Sequence, residues 1–485
     1  MNVKFVFRIT ALTVFVTSLF MLIPAAIALA DKQMHSAVVY LCIVGIMMLF
    51  SLAILLITRK YKPSFYAQEG LASTSISWIL ISLFGALPFV FTGEIPNYID
   101  ALFEIVSGFT TTGASILTDV EALSRCNLYW RSFSHWLGGM GMLVFVLAVV
   151  PRAKKEDATG IHLMRAESPG PSVGKMTPHL RQTAMILYVI YIILTVFCII
   201  FLLIGGMPVF DSFCIAFGTA GTGGFGVTNM SMGSYSTYLQ SVVTVFMFLY
   251  GINFNVYYFI LLRQFKAVFR NEELRAYILI AVTSVIMIAI NISSMFDNFF
   301  SALHHSAFQV SSIMTTTGFS SVDFEQWPAF SKSILLILMF IGASAGSTGG
   351  GLKVARVLIL GKSIWKTIIK TLRPRKVHIV HMDGKAVAPA TSHAVNAYLA
   401  VYCAIILISF VIISIDGYSI GTNFSAVVAC FNNIGPGFEL VGATGNYAHY
   451  SYISKIILTA DMLLGRLEIF PLLVLFSPEL WSRKR

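Results

Sequence analysis

The chain has 485 residues, of which 57% are hydrophobic and only 11% are charged. So little polar surface excludes a soluble globular protein and indicates a chain that crosses a membrane several times. The net charge of +11 could suggest a nucleic-acid partner, but the basic residues cluster between apolar stretches as membrane topology requires, so no nucleic acid is expected. The six cysteines show no C-x-x-C spacing, so neither a disulfide framework nor a zinc site is predicted.

Apolar stretches long enough to cross about 30 Å of hydrocarbon recur along the whole chain. The first ends in PAAIALA and could be mistaken for a signal peptide, but it is longer than a normal signal-peptide core, and we interpret it as a retained helix. Ten spans are predicted, near residues 5–30, 37–58, 71–92, 130–150, 182–206, 238–262, 274–294, 331–361, 393–415 and 453–476.

Basic residues concentrate on one side of these spans. With the N-terminus inside, segments 152–181, 263–275 and 353–385 hold six, four and nine Lys or Arg residues. The four opposite loops hold one basic residue, Arg125, and eleven acidic residues. This asymmetry predicts cytoplasmic N- and C-termini, and an acidic outer face would raise the local cation concentration.

Each of those outer loops contains a short apolar segment followed by a turn rich in Gly and Thr. The aligned turns read TTTGAS, GTGGFG, TTTGFS and NNIGPG, and each following span carries a further glycine 27 to 30 residues later. Four copies of span, short segment, turn and span form an internal repeat. The shared turn glycines are Gly113, Gly224, Gly318 and Gly435, and the later ones are Gly141, Gly251, Gly346 and Gly465.

The repeat predicts the fold class and the division of the chain. We expect an all-α polytopic membrane protein with four repeats of span, pore helix, filter and span around a central pore. Two extra N-terminal transmembrane helices would occupy residues 1–66, and the repeats would occupy 67–160, 161–265, 266–375 and 376–485.

The GTGGFG turn also fits the dinucleotide-binding pattern G-x-G-x-x-G. That pattern needs a preceding strand, a following helix and an acidic residue about 20 positions later. Here the next strongly apolar segment is long enough to span a bilayer, and no acidic residue follows before Glu272. A dinucleotide site is therefore not expected.

Irregular backbone at membrane depth is tolerated where it lines a water-filled cavity, and rings of backbone carbonyls can replace the hydration shell of a cation. The four turns therefore predict an ion filter. Asp100 and Asp211, each thirteen residues before the shared glycine, are predicted to cap the outer ends of two pore helices. The candidate filter residues are Thr110, Thr111, Thr112, Gly113, Gly221, Thr222, Gly223, Gly224, Thr315, Thr316, Thr317, Gly318, Asn432, Asn433, Ile434 and Gly435.

The span near 331–361 is interrupted by GASAGSTGGG at 342–351. Interior glycines cost about 1 kcal/mol each relative to alanine, so a flexible intramembrane loop is predicted. Close helix packing through small residues is the alternative. A phosphate-binding Walker loop fails, because Leu352 precedes Lys353 and Val354 replaces Ser or Thr. The candidate gate residues are Gly346, Ser347, Thr348, Gly349, Gly350, Gly351 and, in the last span, Arg466.

Arg466 lies in the middle of an apolar span, where an ionisable residue is costly and is a functional candidate by default. The alternative is a structural ion pair with Glu468 or Asp461. His135, His304 and His305 lack metal-ligand spacing and are expected to be hydrogen-bonded or interfacial. The Ser and Thr clusters have no partnering base, so no enzyme is predicted.

The motifs resemble those of the Trk/Ktr/HKT superfamily of potassium transporters over nearly the whole chain. RAESPGP at 165–171, GSTGGGLKVAR at 346–356, NNIGPG at 432–437 and GRLEIF at 465–470 carry the resemblance. It implies that each repeat supplies one filter strand, that glycine at position 113 goes with potassium as the ion, that 342–351 is a gating loop, and that Arg466 forms an electrostatic barrier with it. The additional glycines at 221 and 223 depart from the family, which has bulkier residues there, and leave the stringency of ion selection open.

The resemblance also implies a bacterial inner-membrane homodimer in which each chain has its own pore. A TrkA-like cytosolic regulatory subunit with nucleotide-binding domains would dock on the basic inner segments, and no cofactor is expected on this chain itself. Two functions stay open: channel-like potassium uptake, and symport of K or Na with protons or sodium. Acids within the spans are scarce, chiefly Asp461 and Glu468, and this favours passive conduction.

Overall fold

The computed structural model describes residues 2–59, 67–141, 180–375 and 379–481. This part of the chain is mostly helical, and its two strands form one hairpin, in which β1 (His381–Met382) pairs antiparallel with β2 (Lys385–Ala386). The predicted motif at 165–171 and nearly all of the basic segment 152–181 lie outside the described residues.

Three helices precede the repeats. They are α1 (Val3–Phe20), α2 (Leu22–Ala30) and α3 (Met34–Ile57). The first two are nearly continuous and together form a segment long and apolar enough to span a membrane. Both pack against α3, and α1 also packs against the first helix of the first repeat.

Each repeat begins with an outer helix, followed by a pore helix. The outer helices are α4 (Ala67–Gly85, continued by α5, Leu87–Phe91), α8 (Leu180–Ile204), α13 (Glu272–Ile292) and α17 (Pro389–Ile413). The pore helices are α6 (Tyr98–Phe109), α9 (Val209–Gly221), α14 (Phe299–Met314) and α18 (Ile420–Phe431). At 12 to 16 residues, the pore helices are too short to cross a bilayer, as the sequence predicts.

An inner helix follows each turn. The inner helices are α7 (Arg125–Gly139), α10 (Thr237–Tyr250, then α11, Phe254–Leu261), α15 (Ala329–Ile341, then α16, Val354–Leu372) and α19 (Tyr452–Arg466, then α20, Phe470–Val474). Two short helices complete the described chain, α12 (Phe265–Arg270) and α21 (Pro478–Trp481).

Several of the ten predicted spans are not continuous helices. Among the described residues six helices pass as candidate spans, and the bent pair α10 and α11, turning by 88°, makes a seventh. The break within 331–361 is found where it is predicted, but 238–262 and 453–476 are also broken. The span near 130–150 extends beyond the described residues.

The break after α10 has a packing cause. A Cβ on Gly251 would overlap the hydroxyl of Tyr277 and lie 2.7 Å from Cγ2 of Thr315, so the inner helix crosses the next repeat with no side chain between them. Asn253 then caps the new helix by accepting from the Asn255 N–H at 3.0 Å. Hydropathy is insensitive to such a bend because apolar residues continue on both sides.

The helices close a ring around one axis. Each inner helix contacts the pore helix of its own repeat and the pore helix of the next repeat: α7 lies between α6 and α9, α10 between α9 and α14, α15 between α14 and α18, and α19 between α18 and α6. The last contact returns to the first repeat. The turns that follow the four pore helices therefore meet at the centre.

Candidate functional site

The four pore helices end in the same hydrogen-bonded motif. In the first repeat the Thr112 N–H donates to the Ser107 carbonyl at 2.8 Å, and the Thr111 N–H donates to the Gly108 carbonyl at 3.1 Å. This pair of bonds is the Schellman motif, which requires a left-handed residue just beyond the helix. Thr111, Thr222, Thr316 and Asn433 occupy that position, with φ between 53° and 58°.

The four turns are called here the filter segments, residues 110–113, 221–224, 315–318 and 432–435. Each has its left-handed residue at the second position and a glycine with positive φ at the fourth. The fourth-position φ angles are 81° at Gly113, 80° at Gly224, 84° at Gly318 and 95° at Gly435. Glycine adopts this conformation without steric cost, whereas other residues rarely do.

Each fourth-position glycine also lies against the third residue of the next filter segment. A Cβ on any of them would overlap the carbonyl oxygen of the third residue in the next filter segment, so there is space only for a hydrogen. The overlaps run from Gly113 to Gly223, from Gly224 to Thr317, from Gly318 to Ile434, and from Gly435 back to Thr112. These contacts close a ring of four backbone segments, and they bring all sixteen predicted filter residues together.

Side chains within the first and third segments bond to each other. Thr110 and Thr112 hydroxyls are 2.8 Å apart, and Thr315 and Thr317 hydroxyls are 2.7 Å apart. These pairs fill the space behind the backbone and brace it. In the fourth segment Asn432 accepts from the Tyr402 hydroxyl at 2.8 Å, while Asn433 donates to Thr112 of the first segment at 2.9 Å.

The second segment has glycine at its first and third positions, where the first and third segments have threonine. The side chain of His135 on α7 fills the space behind these glycines. A Cβ on Gly223 would overlap the imidazole, and a Cβ on Gly221 would overlap the His135 carbonyl. The ring is fully buried and bonded at both nitrogens, with Nδ1 2.8 Å from the Gly108 carbonyl and Nε2 3.2 Å from the Phe225 N–H. The expectation that His135 is a hydrogen-bonded histidine is confirmed.

The other two expected histidines lie on α14. His304 Nε2 is 2.8 Å from the Gln240 side-chain oxygen, and His305 Nδ1 is 3.0 Å from the Ser321 hydroxyl. Within the described residues no group of three or more His, Cys, Asp or Glu side chains could hold a metal ion.

The predicted capping roles of Asp100 and Asp211 are wrong. Asn97 caps α6 by accepting from the Ile99 N–H at 2.8 Å, and Pro208 precedes α9. Both aspartates lie three residues after the N-cap, in the first helical turn, so each helix begins earlier than the thirteen-residue spacing predicts and is longer than expected. Asp100 instead accepts from Lys455 at 2.7 Å. Asp211 accepts from the Tyr235 hydroxyl at 3.1 Å.

The segment joining α15 and α16, residues 342–353, is called here the glycine loop. It lies directly against two filter segments: the Gly350 N–H donates to the Thr316 hydroxyl at 2.6 Å, and a Cβ on Gly350 would overlap the Asn432 carbonyl oxygen. A Cβ on Gly349 would lie 2.7 Å from the Thr315 carbonyl oxygen. Larger residues at either position would push the loop away from the ring.

The rest of the glycine loop is anchored to the break between α10 and α11. The Ser344 N–H donates to the Gly251 carbonyl at 3.1 Å, and the Gly346 carbonyl accepts from the Phe254 N–H at 3.1 Å. Thr348 donates to the Tyr250 carbonyl at 3.3 Å. The loop is thus an ordered layer on one side of the filter ring.

Arg466 joins this layer to the first repeat. Its guanidinium donates to the Thr348 carbonyl at 2.7 Å and to the carbonyls of Gly138 and Gly139, the latter at 2.7 Å. Glu468 bonds to Arg356 of α16. The guanidinium that the sequence singles out therefore lies against the glycine loop, with backbone oxygens as its partners.

Three charged residues near the glycine loop escape sequence analysis. Lys353 is buried and donates to the Gly349 carbonyl, and the Glu273 carboxylate accepts from the Ala345 N–H at 2.6 Å. Arg356 stacks on Tyr398, 4.0 Å from the ring centroid, and pairs with Glu468. Their positions at the ends of apolar stretches make them resemble ordinary topology-setting charges.

Comparison with known proteins supports a single relationship. Residues 40–484 match the family model TrkH, described as a cation transport protein. The chain is 36% identical over 430 residues to the Trk system potassium uptake protein TrkH of Salmonella typhimurium, covering 87% of this chain and 88% of that protein. It is 34% identical over 495 residues to TrkH of Escherichia coli K12, covering 99% and 100%. The crystal structure of the potassium transporter TrkH from Vibrio parahaemolyticus superposes with a TM-score of 0.88 at 28% identity, covering 99% and 100%.

Proposed function

The chain belongs to the TrkH cation-transport family, and from this premise we propose that it takes up potassium across the bacterial inner membrane through the ring of four filter segments. The observation that carries the proposal is the closed ring, in which each fourth-position glycine abuts the third-position carbonyl oxygen of the next segment. A ring of backbone oxygens can substitute for the hydration shell of a monovalent cation.

The pore helices would add electrostatic attraction. Each ends at a filter segment, so its C-terminal, partially negative end faces the ring. Four such ends around one axis favour a cation there. Because the ligands are backbone carbonyls and helix ends, the proposed site needs no titratable side chain and binds no cofactor.

The glycine loop and Arg466 are proposed as the gate. The loop lies against the filter segments of the third and fourth repeats, and Arg466 brings a positive charge to the same layer. A fixed guanidinium beside the path of a cation raises the barrier to conduction. Withdrawal of the loop would open the path, and a TrkA-like subunit bound on the basic inner segments would control it.

Channel-like uptake is preferred to symport because the acids within the spans are engaged elsewhere. Glu468 pairs with Arg356, and Asp461 accepts from Ser409 of the outer helix α17 at 2.8 Å. Neither contacts a filter segment in the described hydrogen bonds. The proposal also includes cytoplasmic termini and a homodimer with one pore per chain, which follow from the charge asymmetry and from family membership.

The testing experiment is ion uptake by a bacterium lacking its own potassium uptake systems and expressing this protein. We expect the wild type to take up K and Rb and to reject Na. Gly113→Ser should lose this discrimination, because the new side chain would overlap the Gly223 carbonyl oxygen and displace one ring member.

Gly93→Ser is the matched control. Gly93 lies in the same repeat and has the same φ of 81°, but a Cβ there meets nothing within 4 Å. Equal uptake of Na and K by the wild type would assign a different ion. Unchanged selectivity in Gly113→Ser, with Gly93→Ser also unchanged, would refute the filter.

A further inference from the structure

We propose that His135 is a positioning residue for ion selection, which holds the second filter segment in the ring in place of the side chains that this segment lacks. The inference rests on the proposed filter. It concerns a residue on the inner helix of the first repeat acting on the filter of the second.

The first argument is one of space. In the first and third segments, threonines at positions one and three bond to each other behind the backbone. The second segment has Gly221 and Gly223 instead, and without a filler this quarter of the ring would border a void. The His135 imidazole occupies the volume that a side chain at position 223 would need. The two glycines are therefore matched to the histidine and do not loosen the filter.

The second argument is hydrogen bonding. A carbonyl only accepts and an N–H only donates, so the contacts with Gly108 and Phe225 require a proton on Nδ1 and a free lone pair on Nε2. This is one tautomer of the neutral ring. It links the end of the first pore helix to the residue that immediately follows Gly224.

The third argument is the pair of contacts that α7 makes with the Phe225 ring. The centroid of this ring lies 4.2 Å from that of the His135 imidazole and 3.6 Å from Cζ of the Arg131 guanidinium. Arg131 also donates to the Gly226 carbonyl at 3.0 Å. His135 and Arg131 are four residues apart and lie on one face of α7. Together they contact Phe225 and Gly226, the two residues that follow Gly224, and His135 makes the contact nearest the filter segments.

The experiment compares Rb and Na flux in proteoliposomes containing purified protein. His135→Ala should reduce the preference for Rb over Na by about tenfold or more, because it removes two hydrogen bonds and the packing of the ring. His135→Gln should retain most of the preference, because an amide both donates and accepts. His135→Phe fills the space without bonding and should therefore be less selective than the glutamine variant.

A size exchange tests the spatial argument independently. Gly223→Thr should lower selectivity because its side chain overlaps the imidazole. In the His135→Ala background the same threonine finds room, so the double variant should be more selective than Gly223→Thr alone. Additive losses in the double variant would overturn the spatial argument.

Gly113→Ser, measured in the same liposomes, separates this proposal from the filter proposal. If Gly113→Ser loses selectivity and His135→Ala keeps it, His135 has no positioning role and the filter stands. If neither changes selectivity, the filter proposal itself fails. If His135→Ala does not yield a monodisperse protein, the test uses His135→Gln, His135→Phe and the Gly223 variants. Equal selectivity in the Gln and Phe variants would overturn the proposal.

Discussion

Two buried charges, Glu104 and Arg131, connect the residues that follow the first two filter segments. They lie 2.5 Å apart and are almost fully buried. Glu104 accepts from the Ile116 N–H at 3.0 Å, and Arg131 donates to the Gly226 carbonyl. A single ion pair therefore holds the backbone that follows both filter segments. Inside a protein such a pair matters mainly because either charge alone would be costly.

Removing one partner of this pair should therefore be strongly destabilising. We expect Arg131→Met or Glu104→Gln to cost about 3–5 kcal/mol, and the variant combining Arg131→Met with Glu104→Leu to cost less than the sum of the single changes. Thermal unfolding in detergent measures these effects. Arg125→Ala, which removes an ion pair with Asp31 that is 56% exposed on the arginine side, is the control and should cost at most about 1 kcal/mol. Equal effects at Arg125 and Arg131 would contradict this account.

The inner helices are the elements that differ most from ordinary membrane spans. Each described one stops after 13 to 15 residues and, where the chain is described further, resumes beyond a break, at the level of the filter segments or the glycine loop. Such breaks are allowed because the freed backbone groups bond within the protein, as Gly251 does with Ser344. Within the described residues the glycine loop is the longest of these breaks, and it bonds directly to the third filter segment.

Displacing the glycine loop should increase ion flux. Gly350→Ala places a methyl group against the Asn432 carbonyl oxygen, so the loop cannot lie flat on the ring. We expect Rb uptake to rise several-fold without the regulatory subunit and to lose most of its dependence on it. Gly361→Ala on α16, where a Cβ meets nothing within 4 Å, is the matched control. A fall in uptake after Gly350→Ala would argue that the loop supports the conducting state.

The whole molecule combines an excess of basic residues with acidic loops around the predicted outer opening. Eleven acids and one arginine occupy those loops. One of the acids, Glu439, accepts from Ser419 and from Thr422 at 2.7 Å beside the N-terminus of α18. These hydrogen bonds, with that from Ser419 the largest influence, hold the pKa of Glu439 below its usual range, so it stays ionised in mildly acidic medium.

Uptake should accordingly depend on ionic strength. The electrostatic screening length falls from about 30 Å at 0.01 M to about 10 Å at 0.1 M salt. Adding an impermeant organic salt should therefore raise the external K concentration needed for half-maximal uptake. The maximal rate should not change. Neutralising Glu121 and Asp297 as Gln and Asn should weaken the effect. Lys366→Gln, on the predicted inner face, should leave it intact. A salt effect on the maximal rate alone would locate the electrostatic influence at the gate.

The sequence predicts the fourfold repeat, but it does not predict most of the breaks in the inner helices. The aligned glycines predict the four turns and their meeting, because glycine is required there by both φ and space. The left-handed residues at the second positions are threonine or asparagine, and these residue types in the sequence do not indicate a positive φ. The breaks after Tyr250 and Arg466 leave hydropathy unchanged. The roles of Glu104 and His135 depend on distant partners: Arg131 lies 27 residues from Glu104, and Phe225 lies 90 residues from His135. Long-range partners of this kind cannot be found from local spacing.

The closed order of contacts, in which α19 of the last repeat returns to α6 of the first, has a genetic consequence. In a ring assembled from four identical subunits, one codon change alters every quarter at once. Here a single gene encodes four separate quarters, so each can diverge on its own while the other three preserve the opening. The second quarter, with a histidine from its neighbour where the first and third quarters use paired threonines, is an instance of such independent change.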